Sequence, residues 1–354
     1  MERHQIVELC QREVLASAAR LFGTTQAALR KCEDYEGAAN LVYEYECGGR
    51  PYVLRISYRP DRSAEQIQAE LHFIEHLAAG GVRVSQPIAS TQGNLVEVLL
   101  ADGMRFIVAS FVKGKGMRLP DNGYRYRSGA LVEEYFQNCG QILGQMHRLA
   151  KSYVPPSPTV RRPEWSSEAE FQGFPYRERL PTVAVKYADL LNELRALPRD
   201  VDTYGLIHYD FNDGNFVVDY DNGNITIFDF DDACYFWFMY ELAAAWSCGV
   251  GWAMFRPLEE RLAFMDHYMD QVMAGYTREN TLSEVSWARL PLFLRLIQMQ
   301  ELVYLARHLD DPDEDAQAGL RYRIHCIEHD VSYLGFFDEA YSPDRPFTLE
   351  PGLR

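Results

Sequence analysis

The chain lacks the features that would mark a secreted, membrane-embedded or nucleic-acid-binding protein. Its seven cysteines (Cys10, Cys32, Cys47, Cys139, Cys234, Cys248 and Cys326) are odd in number, scattered and never in CxxC spacing. That usage points to reduced, mostly buried thiols and a cytoplasmic setting. The opening MERHQIVELCQREV carries charges throughout and has no apolar core of a signal peptide. Basic residues are in deficit, 35 against 51 acidic, for a net charge of −16. Such a balance argues against a nucleic-acid backbone or an anionic membrane as partner. It suits either a cationic small substrate or plain solubility. Internal repeats are missing. Long apolar runs are scarce too, and the one candidate, residues 233–255, holds a single charge, Glu241. It could span a bilayer by length, but it follows an aspartate-rich stretch with no basic flank, so a buried core helix is expected.

Periodicity supplies the elements that are present. Residues 6–21 have helical spacing. LVYEYECGGRPYVLRIS alternates, turns at Gly48-Gly49 and alternates again, which predicts two strands. SAEQIQAELHFIEHLAAGG reads as a helix with Ser63 as N-cap and Gly80-Gly81 as its stop. LVEVLLA and MRFIVASFV are two more strands joined at Asp102-Gly103. KGKGMRLPDNG, rich in glycine and lysine, predicts a hinge. Beyond it helices are expected over 131–150, 184–197, 236–248, 258–275, 284–308 and 317–334. The expected fold class is α+β, with a small β-rich lobe over 1–112 and a larger, mostly helical lobe over 113–354.

The most informative stretch is LIHYDFNDGNFVVDYDNGNITIFDFDDA, residues 206–233, which packs seven aspartates among strand-like apolar residues. Buried carboxylates are costly without a positive partner. GLIH predicts a strand delivering Asp210 into a loop. NFVVD and NITIFDF predict a hairpin turning at Asn222-Gly223, which brings Asn215 and Asp229 together facing that loop. A carboxylate and an amide oxygen form a hard-oxygen pair suited to Mg²⁺. Asp210 beside them can accept a proton from, or orient, an attacking hydroxyl, the arrangement phosphoryl transfer needs. Asp213, Asp231, Asp232 and Tyr209 border this centre. Asp213 and Asp232 are candidates for substrate contact, with solvated loop residues as the alternative.

HYDFNDGN followed by FDF resembles the H-x-D-x-x-x-x-N and D-F-x segments of kinases. In the form IHYDFNDGNFVV…ITIFDFDDA it looks most like the aminoglycoside phosphotransferase and choline kinase superfamily. The resemblance implies a bilobal protein-kinase-like fold and transfer of the γ-phosphate of ATP, or GTP, to a hydroxyl. It implies Asp210 as the catalytic aspartate, Asn215 and Asp229 as Mg²⁺ ligands, and His208 as a brace for the loop. On the nucleotide side it implies Arg55 on a strand paired with Glu70 on the next helix. Arg55 is a departure, since lysine is frequent at that position. EGAANLVY, with Gly37 and Asn40, would cover the phosphates, and Phe111-Val112 would offer backbone hydrogen bonds to adenine. Glu241 stands where relatives often have an aspartate that holds the catalytic loop.

The helix follows Asp229 too closely for a protein-kinase activation segment, so the expected acceptor is a small hydroxylated molecule, and the resemblance implies one bearing an amine, such as an aminoglycoside or related antibiotic. Homoserine, choline, ethanolamine and hydroxylysine are alternative acceptors, and a catalytically silent nucleotide-binding homologue is a third reading. The His72/His76 and His325/His329 pairs have helical spacing but no third metal ligand, and LDDPDED at 309–315 is expected to be a solvated connection.

Overall fold

The computed structural model describes residues 3–32, 40–307, 309 and 314–330. In chain order its main elements are α1 (Arg3–Leu9), a π-helical turn over Cys10–Val14, α2 (Leu15–Leu21), β1 (Arg30–Lys31), β2 (Asn40–Cys47), β3 (Arg50–Ser57) and α3 (Ala64–Ala79). There follow β4 (Pro87–Ile88), β5 (Glu97–Ala101), β6 (Met104–Val112), α4 (Val132–Ala150), α5 (Pro181–Arg195), β7 (Tyr204–Ile207), β8 (Phe216–Asp219) and β9 (Asn224–Ile227). The remainder comprises β10 (Cys234–Trp237), α6 (Phe238–Ala253), α7 (Arg261–Tyr276), α8 (Glu284–Trp287), α9 (Leu290–Ala306) and α10 (Glu314–Glu328).

Packing groups the chain into two compact units that differ from a single cut at 112/113. The first joins Met1–Tyr124, Ser152–Arg162 and Asn215–Ala233; the second joins Arg125–Lys151, Pro163–Gly214 and Cys234 onward. In the first unit an antiparallel sheet runs β1-β2-β3-β6-β4, with β5 also on β6. Two tight turns set its register. Gly48 and Gly49 both take positive φ between Cys47 and Arg50, and Asp102 and Gly103 do so between Ala101 and Met104. Such turns match the right-handed twist of the flanking strands. Leu41, Tyr43, Leu54, Ile56, Phe106 and Val108 pack with Leu9, Val14 and Ala18 of the N-terminal helix. Ser63 caps α3 in a reciprocal capping box with Gln66, and Gly80 ends it.

The β8–β9 hairpin turns through four residues. Asn222 and Gly223 both donate to Asp219 O, and only Gly223 is left-handed (φ +75). The expected two-residue turn at Asn222-Gly223 is thus a type I turn closed by a glycine.

The expected hinge is also different in kind. A Cβ on Gly114 would stand 2.5 Å from Val217 Cγ2, and one on Gly116 1.9 Å from Val218 O. Met117 and Val218 exchange backbone hydrogen bonds, and Lys115 pairs with Asp219 and Asp221. These glycines therefore let the segment lie flush on the hairpin.

The second unit is mostly helical around a two-stranded β7–β10 ladder. β10 was not expected: the apolar run divides into this strand and α6. Among the described residues no helix is long and apolar enough to cross a membrane. The single helix expected over 284–308 is two, α8 and α9, broken ahead of Pro291.

Candidate active site

The loop that carries Asp210 is built within the second unit. β7 ends at Ile207, and His208, 1% exposed, follows directly after it. Tyr209 then takes φ +77. A non-glycine residue in this region costs roughly 1–2 kcal/mol, so the surroundings must impose it. Asp210 follows, exposed to solvent. Asn212 steers it: its Nδ2 donates to Asp210 Oδ1 at 2.8 Å, and its Oδ1 accepts from Gly214 N–H.

Two buried supports hold this loop. Glu241 on α6 is fully buried and accepts from the Tyr209 N–H at 2.9 Å and from His147 Nε2 at 2.7 Å. Asn280 Nδ2 donates to Tyr276 Oη, which frees the tyrosine proton for His147 Nδ1 at 2.9 Å. The imidazole is thereby left with its Nε2–H for Glu241. Every polar member of the chain Asn280–Tyr276–His147–Glu241 has a partner, which removes the cost of placing a carboxylate in an apolar helix.

Asp213 supplies the other support. Tyr135 Oη of α4 donates to Oδ1 at 2.6 Å, and Trp252 Nε1 of α6 donates to Oδ2 at 2.8 Å. Burial raises its carboxyl above the ordinary value, and those two hydrogen bonds oppose the rise. Both oxygens are thus engaged in bracing the loop against helices.

In the first unit, Asn215 heads β8 and is 8% exposed; its carbonyl accepts from Phe228 N–H. Asp229 comes next after Phe228, at φ +65. The hairpin therefore brings Asn215 and Asp229 to its paired ends. The Asp229 side chain is open to solvent yet densely flanked by protein. That desolvation lifts its carboxyl to about 7; Arg55 opposes the rise, and Asp231, Glu70 and Asp232 add to it. A carboxylate that is accessible but short of positive charge, with an amide at hand, fits a divalent cation.

Arg55 on β3 meets Glu70 on α3 through two 2.8 Å hydrogen bonds, and both side chains are buried. Arg55 also lies 5.1 Å over the Phe111 ring. The forked guanidinium occupies both carboxylate oxygens, a geometry a lysine cannot copy.

The segment after Asp229 is tied down by three arginines. Arg59 Nη1 reaches Asp231 and Asp232, each at 3.0 Å, and Arg62 reaches Asp232 at 3.5 Å. Asn40 Nδ2 donates to Asp231 at 3.2 Å. Burial would push the Asp231 carboxyl up, but Arg55, Arg59 and Arg162 outweigh it and hold it below the ordinary value. Arg162, 1% exposed, donates to the carbonyls of Asp231, Ala233 and Gln66, so it fastens this segment to α3. Nothing local in the sequence singles Arg162 out.

The other expected nucleotide contacts fare differently. Val112 N–H donates to Gln86 O at 2.8 Å, and Phe111 is buried in the sheet. Gly37 lies outside the described residues.

Comparison with known proteins gives the geometry a family. The sequence pattern of the phosphotransferase enzyme family matches residues 33–279. An amicoumacin kinase from Bacillus subtilis (strain 168) is 33% identical over 326 residues, covering 89% of this chain and 92% of that protein. A homoserine kinase of Polaromonas naphthalenivorans is 26% identical over 226 residues, 60% of this chain and 65% of that protein. Among solved structures, an amicoumacin kinase in complex with AMP-PNP, Ca²⁺ and Ami superposes with a TM-score of 0.80 at 27% identity, covering 96% of each chain. A microcompartment-associated aminopropanol kinase superposes with a TM-score of 0.69 at 21% identity, over 91% of this chain and 95% of that one. The fold is α+β and protein-kinase-like. The chain belongs to the phosphotransferase enzyme family and is a small-molecule kinase that uses ATP and a divalent metal.

Proposed function

We propose that the chain transfers the γ-phosphate of ATP to a hydroxyl of a small, amine-bearing antibiotic of the kind amicoumacin kinases act on. The observation that carries this reading is Asp210: solvent-exposed, steered by Asn212, and set on a loop anchored from both sides by Glu241 and Asp213. Such a carboxylate can take the acceptor hydroxyl's hydrogen bond and receive its proton as the oxygen attacks phosphorus. Support for the acceptor class comes from 33% identity to an amicoumacin kinase across 89% of the chain.

In this reading Asn215 and Asp229 hold Mg²⁺, which when bound neutralises phosphate charge. Arg55, held in place by Glu70, faces the nucleotide phosphates, and Gly37 and Asn40 would cover them. With Val112 N–H already committed, the Phe111-Val112 segment would meet adenine through its carbonyls. Asp232, held by Arg59 and Arg62, and Asp213, held by Tyr135 and Trp252, act by fixing their loops. Residues 1–112 then serve the nucleotide, 113–354 serve catalysis and the acceptor, and the cytoplasm supplies ATP.

Homoserine kinases among the relatives favour a second reading, a metabolic amino-alcohol kinase built on the same residues.

The test is acceptor-dependent ADP release from Mg·ATP across amicoumacin, aminoglycosides, spectinomycin, aminopropanol, homoserine, choline and ethanolamine. Amicoumacin-type acceptors should give the largest kcat/KM, and Asp210→Asn should lower kcat by about 10²- to 10⁴-fold. Preference for homoserine or choline would select the metabolic reading. Turnover surviving Asp210→Asn would remove Asp210 from its role.

A further inference from the structure

Tyr209 is an unexplained expense in the catalytic loop. It precedes Asp210 at φ +77, where glycine sits without strain and a large aromatic does not. Its contacts come from three other parts of the second unit, far away in sequence. Its ring stacks on Tyr240 of α6, with centroids 4.7 Å apart and planes 11° from parallel. Its hydroxyl donates to Glu170 Oε1, in the short helical turn over Ala169–Gln172, and accepts from Gln300 Nε2 of α9 at 2.6 Å. Gln300 closes the ring: it donates to Glu170 Oε2 at 3.1 Å, and its Oε1 accepts from Tyr240 Oη at 3.1 Å. Burial, together with the charge of Glu170, keeps both phenols far above their ordinary pKa, so each hydroxyl stays a donor. With the backbone N–H on Glu241, Tyr209 is held at both ends, through the main chain and through the phenol.

Packing alone does not account for this arrangement. A residue needed only to fill space has no use for a donor and an acceptor bond on one hydroxyl, drawn from segments 39 and 91 residues away. Nor does a loop that tolerates movement need its strained residue pinned from two directions. Asn212 steers the Asp210 carboxylate from the C-terminal side; on the N-terminal side Glu241, Glu170, Gln300 and Tyr240 converge on Tyr209.

We propose that Tyr209 is a positioning residue for Asp210, and that Glu170, Gln300 and Tyr240 form the frame that holds its phenol and, through it, the direction of the catalytic carboxylate. The inference rests on the reading of Asp210 given above. It assigns functional weight to Glu170 and Gln300, which carry no role in that reading. A misplacement of about 1 Å at a reacting group lowers turnover by up to about a hundredfold, so the frame acts on kcat rather than on nucleotide affinity.

The experiment compares Tyr209→Phe, Tyr209→Gly, Glu170→Ala and Glu170→Gln with Asp210→Asn in the full-length protein. It reads kcat, KM for ATP, KM for the acceptor and the thermal midpoint. Tyr209→Phe keeps the stacked ring and loses only the hydroxyl. It should lower kcat about tenfold, leave KM for ATP within twofold and stay folded at the assay temperature. Glu170→Ala should match it, and Glu170→Gln, which keeps an oxygen for the phenol, should recover most of the loss. Tyr209→Gly relieves the φ but removes the whole anchor, and kcat should fall about a hundredfold. If Tyr209→Gly does not fold, the phenylalanine and Glu170 variants still decide. The proposal is overturned if Tyr209→Phe and Glu170→Ala keep kcat within twofold of the parent. It is equally overturned if their losses follow the folded fraction with no recovery in Glu170→Gln. Full turnover by Asp210→Asn would instead sink the underlying reading of Asp210, a result distinct from either.

Discussion

At the scale of single residues, the site shows how a carboxylate is made affordable in an apolar setting. Glu241 sits in a helix whose neighbours are Leu242, Ala243 and Trp246, all buried. It is tolerated because two donors converge on it, and the upstream members of the network are satisfied in turn. Removing the acceptor strands both donors. Glu241→Leu should cost about 3 kcal/mol or more, since each buried unsatisfied donor costs roughly 1–3 kcal/mol. Urea unfolding of the variant would measure it, and a loss below about 1 kcal/mol would mean that the donors find other partners. Glu241→Asp shortens the reach by one methylene and should fall between the two. The residues that the sequence marked as acidic candidates thus divide by what touches them: Asp213 has a donor on each oxygen, Asp232 is paired with Arg59 and Arg62 while its side chain stays half exposed, and Asp210 is exposed with Asn212 on one oxygen.

At the scale of elements, α4 and α7 approach so closely that only glycine fits at three points. A Cβ on Gly140 would lie 1.8 Å from Val272 O, one on Gly144 2.6 Å from Tyr276 O, and one on Gly275 1.9 Å from Gln137 O. Backbone cannot yield as a flexible side chain can. The same helices are clasped at their ends by Glu279, which accepts from Gln141 and Gln145 at 3.0 Å. Gly275→Ala should therefore destabilise by about 3 kcal/mol, the upper range for overpacking. Gly251→Ala in α6, where nothing lies within 4 Å, should be neutral or gain up to about 1 kcal/mol from helix propensity. Thermal melts of the pair settle the contrast; equal effects would mean that the helices slide apart at little cost. This packing also marks where the sequence stops being legible. Ser63, Gly80 and the paired turn residues act within a few positions, so their roles could be read locally. The spacing from His208 to Asp229 likewise announces loop and hairpin, because the turn and the strand pairing are set within that stretch, although the distant partners of Tyr209 and Asp213 are not. Arg162 reaches a carbonyl 71 positions away, His147 a carboxylate 94 positions away, and Gln300 a carboxylate 130 positions away. No local pattern encodes such partners. The glycine-rich segment at 113–116 misleads for a related reason: glycine permits both a mobile link and a close approach, and only the opposing hairpin decides which.

At the scale of the whole molecule, charge remains the unbalanced quantity. The chain carries −16, and one carboxyl of its first unit, Asp229, is held up to about 7 by desolvation, with Asp231, Glu70 and Asp232 adding to the rise that Arg55 opposes. On the reading proposed above, a divalent ion brought with the nucleotide would supply positive charge beside Asp229, so nucleotide and metal should stabilise the fold jointly. Binding to the native state alone contributes RT ln(1 + [L]/Kd), about 2.7 kcal/mol at a hundredfold excess over Kd. Differential scanning fluorimetry with ATP, Mg²⁺, both together, and both followed by EDTA resolves the coupling. The pair should raise the midpoint by several degrees and by more than the sum of the separate effects, and EDTA should return the protein to the shift given by ATP alone. Asp229→Ala should abolish the metal-dependent part while leaving that of ATP alone, because it removes the carboxylate without disturbing the Arg55–Glu70 pair, whose two hydrogen bonds lie on β3 and α3. An EDTA-insensitive shift of full size would mean that the arginines satisfy the phosphates unaided and that Asn215 and Asp229 hold no metal.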